Sequence, residues 1–477
     1  MTTKFKSFKN VWPLASARKV GPLKARTTLS STSILIWAGI VITGSVLCGL
    51  IVLGRVPLML AAGASVALAG LAVLATLRSQ SKFMWMFFLN ACFLVVPQRE
   101  FSGTDLVVLL SLATALLIAC GISSNNRSFA VTAVAAAENR YFGLMLWAIV
   151  GFATIAFTST VSNSQSALVL LPWLNGIALA ILISSAPSFQ LPSFMNARRA
   201  ILVGGGIASL YDLYLLGTGR ALNVGPFNSG RFTGSLGDYE LLAEFYGVII
   251  LLGLTAVIFE DSPRWRLLAA SLIVPSFIIL LATQSRGPVV ILCAVAPALA
   301  LTSAVTFRHL ARKVFFLFAT LSLIIYSFFS ALSVLPVFAR LSSVQFDGSV
   351  ESTLNRAGVW GYFTQLPRFI DAGLIGNGFH YPYEEIGTYP HSIYLWLLWS
   401  GGTLGLIAFV LLISLLLFKL FRGIFLHHSA SLSAAAVLTY ILLDEIKIEA
   451  ARTSASVSFL WVALSLALLA SREQREH

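Results

Sequence analysis

Arg231, Arg286 and His391 are the residues of this chain best suited to chemistry on a phosphate ester. Guanidinium groups stay charged and meet phosphate oxygens through paired hydrogen bonds, so two or three of them can hold a diphosphate and stabilise it as it leaves. A histidine near its ordinary pKa can take a proton from an attacking hydroxyl, a contribution of about 10²–10⁴ in rate. Together these groups suit transfer of a group from a lipid diphosphate to an alcohol. His391 stands in "YPHSIYLWLLW", Tyr389 to Trp399, at the lip of a long apolar run where an ionisable ring needs a partner or a task. Arg356 is a third candidate for the diphosphate, and Trp360, His380, Tyr389 and Tyr394 are candidates for contact with an acceptor or a sugar ring. No carboxylates, cysteines or histidines are spaced as metal ligands, so neither a metal nor another cofactor is expected.

Each of these residues also has a plainer reading that the sequence leaves open. His391 suits a helix end in the headgroup region, and the arginines can snorkel to lipid phosphates. Aromatic rings at a membrane interface need no sugar to explain them. Asp212, set inside an apolar stretch, is either a functional acid or half of a structural ion pair with Arg220 or Arg231. Asp238, Glu240 and Glu244 open an apolar segment, where acids offset the positive end of a helix dipole.

The elements that must position these side chains follow from composition. Hydrophobic residues make up 57% of the 477, charged residues 11%, and mean hydropathy is +0.86. A water-soluble domain with a polar shell cannot have that composition, and the many apolar runs of roughly 17–25 residues point to an all-α, polytopic transmembrane bundle. Six spanning segments are expected within 33–185, followed by 199–216, 238–259, 267–283, 288–305, 314–335, 391–420, 429–446 and 453–470. That makes about 14 crossings, with about 12 as the alternative.

Residues 1–30 hold seven basic side chains and no acid, which reads as a cytoplasmic tail; 31–470 form the membrane domain and 471–477 a second cytoplasmic tail. The net charge of +13 sits mainly at helix ends, where it sets topology and meets anionic lipid, so no nucleic-acid partner is expected. The four cysteines lie in apolar runs and read as small core residues. Two irregular breaks, 217–237 and 336–390, fall on the outer side by crossing parity, as does the break holding Arg286, so one site can share all three. An amphipathic helix is expected over 352–370 within the longer loop. Gly401, Gly402 and Gly405 suggest a kink or close packing, and Gly204 to Gly206 suggest helix packing.

The stretches "RFTGSLGDYELLAEF", "TQSRGPVVIL", "NRAGVWGYF", "GLIGNGFH" and "HSIYLWLLWSGGTLGLIAF" resemble, in combination, the O-antigen ligase and O-antigen polymerase superfamily of bacterial envelope glycosyltransferases. The likeness covers roughly 225–425, and departs from the family's His-Asn-x-Tyr-Leu signature in having Ser392 after His391. The resemblance implies a metal-independent, inverting transfer of an undecaprenyl-diphosphate-linked oligosaccharide to a sugar hydroxyl at the periplasmic face of the inner membrane, with both termini cytoplasmic. Arg231 and Arg286 match arginines proposed to bind the diphosphate, and His391 the proposed catalytic histidine. The acceptor would be a second lipid-linked repeat unit in a polymerase of O-antigen or exopolysaccharide, or the lipid A core in a ligase. Membrane lipids, and a chain-length regulator, are the further partners such a reading admits. A transporter of lipid-linked oligosaccharide, binding phosphate without chemistry, is the rival from another class.

Overall fold

The computed structural model describes residues 193–222, 230–308, 390–448 and 454–474, with isolated positions at 173, 176, 180, 183, 311, 314, 315, 360, 361, 373, 374, 376 and 377. The expected first five spanning segments, most of the sixth and of 314–335, and most of the 336–390 loop with its amphipathic helix lie outside the described residues. Within them the chain is helical: α1 (Phe194–Gly217), α2 (Tyr239–Phe259), α3 (Pro263–Ala282), α4 (Arg286–Thr306), α5 (Ile393–Phe425), α6 (Ser429–Asp444) and α7 (Ser454–Glu473). Five of them, α1 to α5, are long and apolar enough to cross a membrane, and α6 is a shorter apolar helix. The only strand-like pairing among the described residues is an isolated antiparallel bridge between Leu222 and Phe232.

The starts of these helices are written locally. Ser193 caps α1 by accepting from Asn196 N at 3.2 Å, and Asp238 caps α2 by accepting from Glu240 N at 2.8 Å and Leu241 N at 3.2 Å. These three bonds satisfy main-chain donors that the first turn leaves without helical partners. Pro263 opens α3, where a missing N–H costs nothing.

Helix α2 is buried along almost its whole length and packs against α1, α3, α4 and α6; α6 in turn meets α4, α5 and α7. Between helices in lipid the drive is close packing, since the tails are as apolar as leucine. The Gly204 to Gly206 run serves that end: Gly205 faces the side chain of Ile249 on α2 and Gly206 that of Leu272 on α3. Around this centre many apolar side chains point outward, among them Leu267, Val290, Leu301 and Phe418, as a lipid-facing surface requires. Cys293 is also exposed, which corrects its expected place in the core; the turn of α4 that carries it faces outward.

Helix α5 is broken. Gly402 has φ 64° and ψ −168°, and Gly373, Leu374, Gly376 and Asn377 lie against the break. There Thr403 N donates to Gly373 O at 3.1 Å, Leu404 N to Leu374 O at 3.2 Å and Asn377 N to Trp399 O at 2.9 Å. Main-chain groups freed inside an apolar bundle must find partners in the protein, and these residues supply them.

Candidate functional site

The segment carrying Arg231 is held from three directions. Phe232 N donates to Ala282 O at 3.2 Å, Thr233 N and Oγ1 donate to Ala221 O at 2.9 and 2.8 Å, and Asp212 receives Ser235 N at 2.8 Å and Ser235 Oγ at 3.2 Å. Asp212 also accepts from the Tyr246 hydroxyl at 2.7 Å. It is fully buried, and these neutral donors, not Arg220 or Arg231, are the partners that satisfy it. Gly234, at φ 53°, turns the chain over this carboxylate; a Cβ there would lie 2.9 Å from Asp212 Oδ1 and 2.5 Å from Leu242. Arg231 itself is 9% exposed, its guanidinium 4.3 Å from the centre of the Tyr239 ring, and its Nε has no hydrogen-bond partner among the described residues.

Arg286 begins α4 directly beside this segment. Gln284 Nε2 donates to Gly230 O at 3.3 Å, and Ser285 Oγ donates to Tyr239 O at 3.3 Å. The main chain at Gln284 has φ 55°, a left-handed conformation that costs a residue with a Cβ about 1–2 kcal/mol. Arg286 is half-buried, and its Nε likewise has no hydrogen-bond partner among the described residues.

His391 is half-buried and also left-handed, at φ 49°. It precedes Ser392, which caps α5 in extended conformation but makes no side-chain capping bond. Ile393 N donates to Glu445 O at 3.1 Å, fixing this start of α5 to the end of α6. Beyond α6, Lys447 pairs with Asp444 at 2.7 Å and lies against Gly287 in the first turn of α4. The Arg231 and Arg286 segments are thus joined by direct hydrogen bonds, and the Arg286 and His391 segments through the Asp444–Lys447 turn.

The other expected site residues divide. The Tyr394 hydroxyl donates to Leu442 O at 3.1 Å and so ties α5 to α6. Trp360 is helical and half-buried. Arg356, His380 and Tyr389 lie outside the described residues.

Sequence reasoning passed over the acidic group where α6 ends. Asp444 and Glu445 are fully buried and Glu244 of α2 is 4% exposed; Glu244 interacts with both of these acids and with Lys447. The signal was present in "LLDEIK": two acids closing an apolar helix oppose its dipole and imply a compensating partner. Glu244 therefore serves this cluster, whereas Asp238 caps α2 as its position suggested. Among the described residues no group of three or more His, Cys, Asp or Glu is placed to hold a metal ion.

The far end of the bundle has a different character. Glu260, 1% exposed, bonds Arg198 at 3.1 Å and Arg199 at 2.5 Å, and its carbonyl accepts from Arg266 at 2.8 Å. These arginines, basic residues at helix ends, thus meet the buried acid Glu260. Nearby, Phe194 N donates to Glu473 Oε1 at 2.6 Å, and Arg472 donates to Ile183 O.

The described residues therefore define an all-helical protein with several long apolar helices, as a polytopic membrane bundle requires. No family model and no curated protein matches the chain.

Proposed function

We propose that this protein is an inner-membrane glycosyltransferase that moves a glycan from undecaprenyl diphosphate to a sugar hydroxyl, polymerising O-antigen or exopolysaccharide repeat units at the periplasmic face. The observation that carries the reading is the hydrogen-bonded junction of the Arg231 and Arg286 segments at the end of the bundle where His391 opens α5. Two arginines on adjoining segments, neither Nε having a hydrogen-bond partner among the described residues, suit a ligand with phosphate oxygens. In the reaction His391 takes the proton of the acceptor hydroxyl as its oxygen attacks the anomeric carbon. The bond from that carbon to the diphosphate oxygen breaks on the opposite face, so configuration inverts. Undecaprenyl diphosphate leaves with its negative charge met by Arg231 and Arg286.

The test uses the full chain in nanodiscs with a lipid-linked oligosaccharide, product length being read by gel and mass spectrometry. Longer glycan from wild type, reduced about 10²–10⁴-fold in His391→Ala, is the expected result. Transfer only when lipid A core is supplied would identify a ligase. Lipid translocation without glycan transfer, unaffected by His391→Ala, would instead make the protein a transporter.

A further inference from the structure

We propose that Asp212 is a positioning residue for Arg231: it fixes the loop that carries this arginine, although it lies on α1 and makes no bond to the guanidinium. The inference rests on the diphosphate role given to Arg231 above. Both oxygens of Asp212 are engaged, Oδ1 by Ser235 N at 2.8 Å and Oδ2 by Ser235 Oγ at 3.2 Å and Tyr246 OH at 2.7 Å. A carboxylate that accepts three hydrogen bonds from two elements locks one against the other, here the Arg231 loop against α1 and α2. Arg231 lies four residues before Ser235, and the intervening Phe232 and Thr233 are tied to Ala282 and Ala221.

Among the described residues, the side chain of Arg231 stacks on the Tyr239 ring, its guanidinium 4.3 Å from the ring centre. A stacked ring limits the height of a guanidinium more than its lateral position, so lateral placement falls to the main chain. Gly234 completes the device, since its left-handed φ of 53° and bare Cα let the loop close down on Asp212. An acid kept only to neutralise a nearby arginine would bond that arginine; the partners of Asp212 are an amide, a hydroxyl and a phenol.

The experiment reads Arg231 directly. In full-length protein in nanodiscs, phenylglyoxal modification of Arg231 is followed by mass spectrometry, and binding of farnesyl diphosphate is measured by calorimetry. Asp212→Ala is expected to speed modification and to weaken diphosphate binding by about tenfold or more, with Asp212→Asn, which keeps an acceptor for Ser235 N, close to wild type. Should Asp212→Ala fail to fold, Ser235→Ala is expected to shift both readouts in the same direction by a smaller factor. Equal protection of Arg231 in wild type, Asp212→Ala and Ser235→Ala would overturn the positioning role. Wild-type protein that binds no diphosphate, while Asp212→Ala still uncovers Arg231, would overturn the transferase reading and leave the positioning role standing.

Discussion

Arg231 and Arg286 do their proposed work through planar, forked donors, and that sets what each tolerates. Lysine keeps the charge but presents a single point, so Arg286→Lys is expected to lower glycan transfer by about 10²-fold or more and not to restore it at higher substrate concentration, as a kcat measurement would show. The residue types of Arg231, Arg286 and His391 were legible in the sequence, because charged side chains between apolar runs attract attention. Their surroundings were not. Nothing in "TQSRGP" announces that Gln284 adopts a left-handed φ of 55° or that its amide reaches Gly230. Asp212 was recognisable as an intramembrane acid, yet its partners lie 23 and 34 residues away and are neutral, so charge matching pointed to the wrong ones.

Element boundaries were largely readable, since the apolar runs end where capping and turn residues begin. The segment expected at 238–259 is α2 at Tyr239–Phe259, and that at 429–446 is α6 at Ser429–Asp444. Less accessible was the interior of α5. Its glycines suggested a kink, but not that Gly373, Leu374 and Asn377 would pair with it, because that pairing depends on chain 22 to 30 residues away in sequence. Gly402→Ala is expected to destabilise this junction. It puts a Cβ at φ 64° and ψ −168°, an essentially glycine-only conformation that costs about 1–3 kcal/mol, and drives it into Leu374 O and the Gly376 main chain. A lower thermal midpoint in detergent and faster proteolysis between α4 and α5 are the expected readouts.

At the scale of the molecule, the two ends of the bundle divide the labour. One gathers the candidate site, and the other is closed by Glu260 with Arg198 and Arg199. Burial alone would push the Glu260 carboxyl up, but hydrogen bonds and charge from Arg199 and Arg198 outweigh it and hold the carboxyl below the usual range. A carboxyl whose folded pKa is depressed stabilises the fold at pH above its unfolded value, about 4.3, and that stability is lost as pH falls through the folded value. Wild-type protein is therefore expected to lose thermal midpoint below about pH 4.3 more steeply than Glu260→Gln. At neutral pH Glu260→Gln leaves two arginines short of a counter-charge and is expected to cost about 3–5 kcal/mol. This network was hidden because basic residues at helix ends usually answer to lipid.

The break at Gly402 also bears on depth. From Gly402 to Phe425 a helix extends about 36 Å, already more than the ~30 Å of hydrocarbon, whereas Ile393 to Gly401 covers only about 14 Å. The longer piece is therefore long enough to cross unaided, and the shorter piece acts as a short strut, braced by Glu445 and by Gly373, Leu374 and Asn377. The start of α5, where His391 stands, is thus held by protein neighbours, and its position is expected to depend less on bilayer thickness than the tilt of the longer piece does.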